Sequence, residues 1–546
     1  MNYYKIILIA LLFFLLNSNA FSQPVTEWVA RYNSPGNFND DLIDMVLDKE
    51  GNTYITGNTG NPLDIITLKF SSSGNLLWSR IYNGPANKDD EAVKIAIDDS
   101  GFVYVEGMTF DPIQFTNFVT LKYSPLGNLV WTVEYNFADS TTEAPNDMII
   151  DSESNIYVVG RGGVCGLCPS DYLTLKYDKN GNLLWSKRYH GEGYFSNFGW
   201  TLALDNLGRV IVSGRSADKN NTYYSATLVY NTEGNLLHLI KYDSADGKKI
   251  STDYFGNIYL GGNVKRANFE NQWDFFLNKY DSSGKLLWNQ TYNTPNTQQR
   301  NDYLSWMSMD VQNDNIYYTG STIFFNQNGY NFILFKFGSN GDSVWKRGYT
   351  PLTNSSNTPV HLTRDKYNNF YITGSSNFNT PYYRFLTVKY DSAGNFIWEA
   401  NYLNILFFNH YGKRVLIDST NSVFVGGTSY GPESGSNDIV LIKYSQITNV
   451  ESVSNLISEK MELFQNYPNP FNPVTYIEYQ LTTPGYVKIS LFDMLGKEID
   501  VLKQVYQNQG RYKLKWNASA FSSGMYFYRL DINGNFIDTK KLILLK

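Results

Sequence analysis

The sequence predicts an all-β protein: a β-propeller of eight four-stranded blades, its ring closed by the N-terminal strand, followed by a small Ig-like β-sandwich. Three observations carry this expectation. A pattern of about fifty residues recurs eight times, the mark of an array built from one supersecondary unit. Each copy holds short β-patterned runs punctuated by Gly and Asn turns. The last copy lacks its final strand, and a matching piece stands at the other end of the chain.

The clearest copy, residues 48–82, reads DKEGNTYITGNTGNPLDIITLKFSSSGNLLWSRIY. An Asp opens each copy: Asp48, Asp98, Asp151, Asp205, Asp253, Asp310, Asp365 and Asp418. A Gly closes the next strand: Gly57, Gly107, Gly160, Gly214, Gly262, Gly320, Gly374 and Gly427. The separation is nine residues except in the sixth copy, where it is ten. Between these anchors lie residues that tolerate positive φ, such as Gly51-Asn52. The second half ends a third strand in Leu-Lys-Tyr or a variant, turns at Gly-Asn, and continues to Trp with Tyr four residues on. Trp78 and Tyr82, or Trp398 and Tyr402, are examples; the fourth copy writes His238 for the Trp. Four short strands in meander order make one blade.

The eighth copy stops after Ile442-Lys443-Tyr444, while Trp28 and Tyr32 keep the W-x-x-x-Y spacing near the N-terminus. The N-terminal segment is therefore expected to complete the last blade, removing an open sheet edge. The D-x-x-G-N-x-Y-x-x-G frame of residues 25 to 445 resembles the bacterial SBBP-type propeller repeats, a family with a nominal seven blades. The L-L-W strand is similar, more loosely, to the tryptophan repeats of quinoprotein propellers.

The chain has 546 residues, 45 basic and 51 acidic, a balance of −6 without a basic block, which argues against a nucleic-acid partner. Residues 1–20 read as a signal peptide: Lys5, the apolar run IILIALLFFLL, then Ser18-Asn19-Ala20. No later segment is apolar enough to span a membrane, so no transmembrane segment is expected in the mature chain. Cys165 and Cys168, in a Gly-rich gap, read as a local disulfide or as exposed thiols. A redox site wants a helix N-terminus, and a zinc site wants two further ligands in register; neither accompanies them.

Turns between strands one and two and between three and four share one blade end and barely vary between copies. The other connections vary strongly, as NGPANKDD (83–90) against NFADSTTEAPN (136–146). Variation confined to one face of a rigid scaffold marks a binding surface. Its aromatics, Trp200, Trp273, Tyr303, Trp306, Tyr330 and Tyr382, beside many amides, are the candidate ligand-binding residues, suited to glycan or protein. The repeated Asp tempts a calcium reading, but one carboxylate among Gly and Asn is an Asx turn rather than a cation loop. The repeated Lys (Lys69, Lys122, Lys176, Lys279, Lys336, Lys389, Lys443) is expected to pair with those Asp. No G-x-S-x-G, H-E-x-x-H, P-loop or Rossmann fingerprint occurs, and no catalytic, cofactor or metal residue is assigned. The expected role is a non-catalytic binding or adhesion scaffold. The alternative is a surface enzyme, a polysaccharide hydrolase or lyase or a quinoprotein-like oxidoreductase.

The propeller occupies 24–445, a polar linker 446–463, and a β-patterned module 464–546. The module opens with NYPNPFNP (466–473), turns at Gly496 and Gly524, and closes on KKLILLK (540–546). Asn466, Pro468, Asn469, Pro470, Phe471, Asn472 and Pro473, with Gly496, Gly524, Lys540 and Lys541, closely resemble the type A C-terminal sorting domain of the type IX secretion system. That resemblance implies the type IX machinery as partner, transport across the outer membrane, and release or anchoring at the cell surface.

Overall fold

A computed structural model describes residues 24–446 and 461–546, apart from short stretches at 112–114, 137–141, 165–169, 194–196, 267–271, 293–301, 311–314, 323–329, 351–354, 378–379, 403–407, 483–484 and 508–509. The expected signal peptide, most of the linker, Cys165 and Cys168 lie outside the described residues. Residues 23–446 form one compact unit, and the chain from 447 onward belongs to a second.

The first unit is a β-propeller built, among the described residues, from eight four-stranded antiparallel sheets, each a meander in chain order. Blades 1 to 8 span 41–82, 91–135, 142–189, 198–243, 245–292, 303–349, 357–402 and 410–445. Blade 8 takes its fourth strand from Val25–Tyr32, which pairs antiparallel with Asn437–Ser445. The first strand of each blade packs on the first three strands of the blade before it, and blade 1 meets blade 8 in the same way. The packing is apolar, as where Leu42, Met45 and Ile55 of blade 1 share a cluster with Phe424 and Leu441 of blade 8.

Each fixed residue of the repeat has a physical job. Asp48 accepts the backbone N–H groups of Glu50 and Asn52 (3.1 and 2.8 Å), closing an Asx turn in which Gly51 takes φ +79°. Its second oxygen accepts the Tyr54 hydroxyl at 3.2 Å. Lys69 lies 4.7 Å over the Tyr54 ring, and Trp78 meets that ring edge-on at 6.1 Å. The same set recurs as Asp98, Tyr104, Lys122 and Trp131, and as Asp151, Tyr157, Lys176 and Trp185. The indoles of Trp28, Trp78, Trp131, Trp185, Trp288 and Trp345 then reach into the next blade. Trp78 lies against Gly127, where a Cβ would stand 2.7 Å from the ring, and its Nε1 donates to the Pro125 carbonyl at 3.2 Å. Trp28, on the N-terminal strand, makes the equivalent contact with Gly74 of blade 1.

The expected Lys–Asp pairing is corrected in most blades. Among the described residues only Lys279 and Lys443 of the seven reach a carboxylate, Asp253 at 3.6 Å and Glu27 at 3.0 Å. The ammonium groups of Lys69, Lys122, Lys176, Lys336 and Lys389 lie 4.7–5.8 Å from the ring of their blade's Tyr, so the cation takes the aromatic face.

A second repeated contact starts every blade. Eight residues before the anchor Asp stand Asp40, Asp90, Glu143, Asn197, Ala245, Asp302, Asn357 and His410, all buried. Asp40 donates its N–H to the Asn437 carbonyl of blade 8 at 2.7 Å, and Asp90 to the Leu63 carbonyl of blade 1 at 2.6 Å. The side chain meets whatever stands two residues past the strand-closing Gly: Thr59 with Asp40, Thr109 with Asp90, Ser216 with Asn197, Ser376 with Asn357, Ser429 with His410. The longer Glu143 lies over Gly162, and apolar Ala245 pairs with Val264.

The second unit packs a three-stranded sheet (Glu462–Leu463, Val474–Leu481, Gly510–Asn517) and a four-stranded one (Glu498–Gln507, Gly485–Phe492, Gly524–Ile532, Asn535–Leu544) around one core, including Ile477, Ile489, Trp516 and Leu530. The motif residues tie its N-terminal segment down. Buried Asn466 donates its N–H to Tyr528 Oη (2.7 Å) and its amide to Thr475 Oγ1 (2.9 Å) and the Pro468 carbonyl (3.1 Å). Asn469 accepts the Ile543 N–H at 2.9 Å, and Phe471 is buried 5.6 Å from Trp516. Pro473 offers its carbonyl to the Ala518 N–H, and Asn472 and Pro470 stay at the surface. Gly496 adopts φ +77° in an exposed turn, Gly524 begins the third strand of the larger sheet, Lys540 pairs with Asp538, and Lys541 is exposed.

Two outcomes follow. Trp78→Ala is expected to cost about 3–5 kcal/mol, and Gly127→Ala to destabilise through the same contact, so the two costs should fall short of additivity in a denaturation double-mutant cycle. Full additivity would reject the inter-blade wedge. At the blade start, burial raises the Asp40 carboxyl above its ordinary range. A raised carboxylate destabilises the fold above its folded pKa, and that cost is relieved as pH falls through it. Asp40→Asn should therefore hold or raise the melting temperature at neutral pH, whereas Asp40→Ala, which orphans Thr59 and the Ser34 N–H, should cost about 1–3 kcal/mol.

Candidate functional site

Every first strand carries a bulge against the second at the same place, between Leu42 and Asp44, Ala92 and Lys94, Pro145 and Asp147, Gly199 and Thr201, Gly247 and Lys249, Leu304 and Trp306, Pro359 and His361, and Gly412 and Arg414. A bulge re-aims the side chain that follows it. The residues after the eight bulges, each four before its anchor Asp, are Asp44, Lys94, Asp147, Thr201, Lys249, Trp306, His361 and Arg414. Around them the scaffold repeats itself; these do not.

They meet one another. Arg414 of blade 8 donates to Asp44 of blade 1 at 2.6 Å. Lys94 lies 3.7 Å from Asp44 and 3.4 Å from Asp147, and Asp147 accepts the Thr201 hydroxyl at 3.2 Å. Trp306 and His361 have ring centroids 4.3 Å apart, and His361 Nδ1 accepts the Val415 N–H at 3.5 Å. Lys249, Arg414 and Lys94 stand 4.2, 5.6 and 6.0 Å from the Trp306 ring. Beside Trp306 and His361 opens a cleft of about 730 Å³, with Ser308, Thr363, Lys366 and Asn368 on its wall.

Burial and charge set the protonation states. Burial opposes ionisation of Asp44, but Lys94 and Arg414 outweigh it and hold the carboxyl at about 2. Burial works against charge on Lys94, and Asp44 and Asp147 overcome it, so its pKa is raised. Lys249 comes down to about 8: burial dominates, Asp147 opposes it, and Lys94 and Arg414 add repulsion. Burial, reinforced by Arg414, pushes His361 well below its usual value, which fits a neutral ring accepting an N–H.

Of the six aromatics expected on the variable face, Trp200, Trp273, Tyr303 and Trp306 lie on strands. Tyr303 and Tyr330 pair at 6.2 Å. Trp200 stacks on Phe198 at 5.1 Å, with Lys248 3.9 Å above it, and donates to Asp246 at 2.8 Å. The Trp273 carbonyl accepts the Asp302 N–H, and the Tyr382 carbonyl the Thr380 hydroxyl at 2.9 Å. Of the six, Trp306 alone stands in the first-strand cluster. The remaining members were missed because charge at one register of eight strands is not visible as a local motif. Aligning the copies on their Asp and inspecting the position four residues earlier brings the set out. Among the described residues no group of three or more His, Cys, Asp or Glu is placed to hold a metal ion.

Residues 465–545 match the family model of a secretion system C-terminal sorting domain, Por_Secre_tail. The protein is thus an exported β-propeller carrying a type IX sorting tail, sent to the cell surface or the extracellular space. No helix among the described residues is long and apolar enough to cross a membrane. Among curated proteins none matches the chain. Its structure is similar to the Dos1 propeller, at 11% identity over 78% of this chain and 94% of that one, with TM-score 0.47. It is also similar to the polysaccharide lyase Uly1 (12% identity, 67% and 91% covered, TM-score 0.41). A third likeness is to PorZ, a bacterial surface component of the type-IX secretion system of Porphyromonas gingivalis (11% identity, 96% and 82% covered, TM-score 0.29).

Asp44 carries the next expected outcome. Its depressed pKa contributes stability that is full above the unfolded carboxyl value near 4 and is lost as pH falls through about 2. Asp44→Asn removes that dependence and leaves Lys94 and Arg414 facing each other, at a cost of about 3–5 kcal/mol. Acid and urea titrations of the two proteins measure it.

Proposed function

We propose that the protein is a non-catalytic binding or adhesion scaffold for an extracellular glycan or protein. In this reading the eight blades close into one ring whose axis is filled by the first-strand cluster. The SBBP-type frame, an Ig-like character for the C-terminal sandwich and cleavage within the linker 446–463 belong to the same reading. The observation that carries it is the separation of fixed from varied positions. Asp, Tyr, Gly, Lys and Trp repeat because they hold blades together, while the position after each bulge changes chemistry around the cluster and opens on a cleft. Its two carboxylates, Asp44 and Asp147, are already engaged by Lys94, and Asp44 also by Arg414.

The alternative, an enzyme on the same scaffold, is favoured by one observation: Lys249 stands near neutrality beside the cleft-lining Trp306. A glycan array and a surface-protein pull-down with the secreted chain, run beside hydrolysis, lyase and dye-reduction assays, decide between the two. Binding without turnover is the expected result. Turnover abolished by Lys249→Ala or by Asp147→Asn would sink the scaffold reading.

A further inference from the structure

Among the described residues, Lys94 and Arg414 of the first-strand cluster are ion-paired, whereas Lys249 has no carboxylate within ion-pair distance. Its ammonium lies over Trp306, and Trp306 forms part of the wall of the 730 Å³ cleft. Three cations, Lys94, Lys249 and Arg414, there face two carboxylates, Asp44 and Asp147, with His361 held neutral. On the strand of Lys249 itself, Lys248 and Asp246 neutralise each other at 2.9 Å. The cluster therefore holds uncompensated positive charge, and on the wall of the cleft two cations, Arg364 and the exposed Lys366, stand against one carboxylate, Asp365. Ser308 and Thr363 supply hydroxyls on the same wall. A cleft of this volume is in the size class of small-ligand sites, whereas an extended peptide is held along a sheet edge or groove.

We propose that this cleft binds an acidic saccharide, its carboxylate or sulfate held by Lys249 beside Trp306 and its hydroxyls met by Ser308 and Thr363. The proposal rests on the binding reading above and names its ligand class. An anion beside Lys249 favours the charged form. Affinity is therefore full below about pH 8 and falls as pH rises through that value.

Titration calorimetry of the secreted full chain tests this with five probes: a uronate tetrasaccharide, a sulfated tetrasaccharide, an uncharged tetrasaccharide, inorganic sulfate and an oligoglutamate. One or both acidic tetrasaccharides should bind at least about tenfold more tightly than the uncharged one, and the preference between them identifies the anionic group. Lys249→Ala and Trp306→Ala should each lose about tenfold, and Lys366→Ala, at an exposed position, about threefold with an unchanged melting temperature. Lys249→Arg should keep binding at pH 7 and abolish the fall above pH 8, because Arg does not titrate there. Equal binding of the uncharged tetrasaccharide overturns the proposal and leaves the scaffold reading standing. So does sulfate binding as tightly as the sulfated sugar, or oligoglutamate binding with the same dependence on Lys249. Turnover of a bound probe overturns the scaffold reading itself.

Discussion

Six of the eight blade junctions depend on one contact, the indole of a fourth strand lying against the Gly turn of the next blade. The indole is too large to be accommodated beside any side chain there: a Cβ on Gly127, Gly234 or Gly341 would stand 2.7–2.8 Å from the ring carbons of Trp78, Trp185 or Trp288. Gly is required twice over, since each turn also holds it at positive φ. The Trp is oriented by the Tyr of its own blade, the Tyr by its hydroxyl bond to the anchor Asp, and the Lys completes the stack. Apolar burial between blades drives association, but this chain of contacts sets how one blade sits on another.

Blade 4 shows that these residues act as a unit. Where the other copies have Tyr or Phe it has Ile211, and it also has Val229 for Lys and His238 for Trp. All three losses occur together. Asp205 is retained, and Arg209 occupies it instead, bonding at 2.6 Å and reaching on to the Ser282 and Gly256 carbonyls of the next blade at 2.5 and 2.8 Å, Ser282 standing where the indole's acceptor stands in other blades. A cation thus supplies the inter-blade link that the missing indole would have made. The blade-start pairs behave alike, with Glu143 over Gly162 and Ala245 against Val264 conserving volume and polarity.

Much of this was legible in the sequence because it is periodic. Repetition exposed the Asp turn, the four-strand meander and the split eighth blade, and the pairing of Val25–Tyr32 with Asn437–Ser445 bears out the last. The motif residues of the tail were legible for a different reason: Asn466, Asn469 and Phe471 are each tied to distant strands, so their identities are fixed. The Lys partners were misjudged because sequence places Lys and Asp at one blade end without revealing that the Tyr whose hydroxyl bonds the Asp offers its ring to the Lys. Apart from Trp306, the cluster of Asp44, Lys94, Lys249, His361 and Arg414 was illegible for the opposite reason to the scaffold. Its members share a register and nothing else, and only the bulge and the packing of blade on blade bring them together.

The chemistry of that cluster bears on what it can do. A general acid or base works best with a pKa near ambient pH. Asp44, at about 2, is locked as an anion between Lys94 and Arg414, and His361 is locked neutral by burial and nearby cations. These groups serve as fixed charge and fixed acceptor, which suits recognition. Lys249 is the exception: among the described residues no carboxylate stands within ion-pair distance of it, and burial outweighs the pull of Asp147. An arrangement that satisfies every charge but one, and places that one over an aromatic beside an open cleft, leaves a single unfilled electrostatic demand. A ligand that brings a negative charge meets it at lower cost than any rearrangement of the strands, because the bulges that aim these side chains are built into the same backbone that holds the blades together.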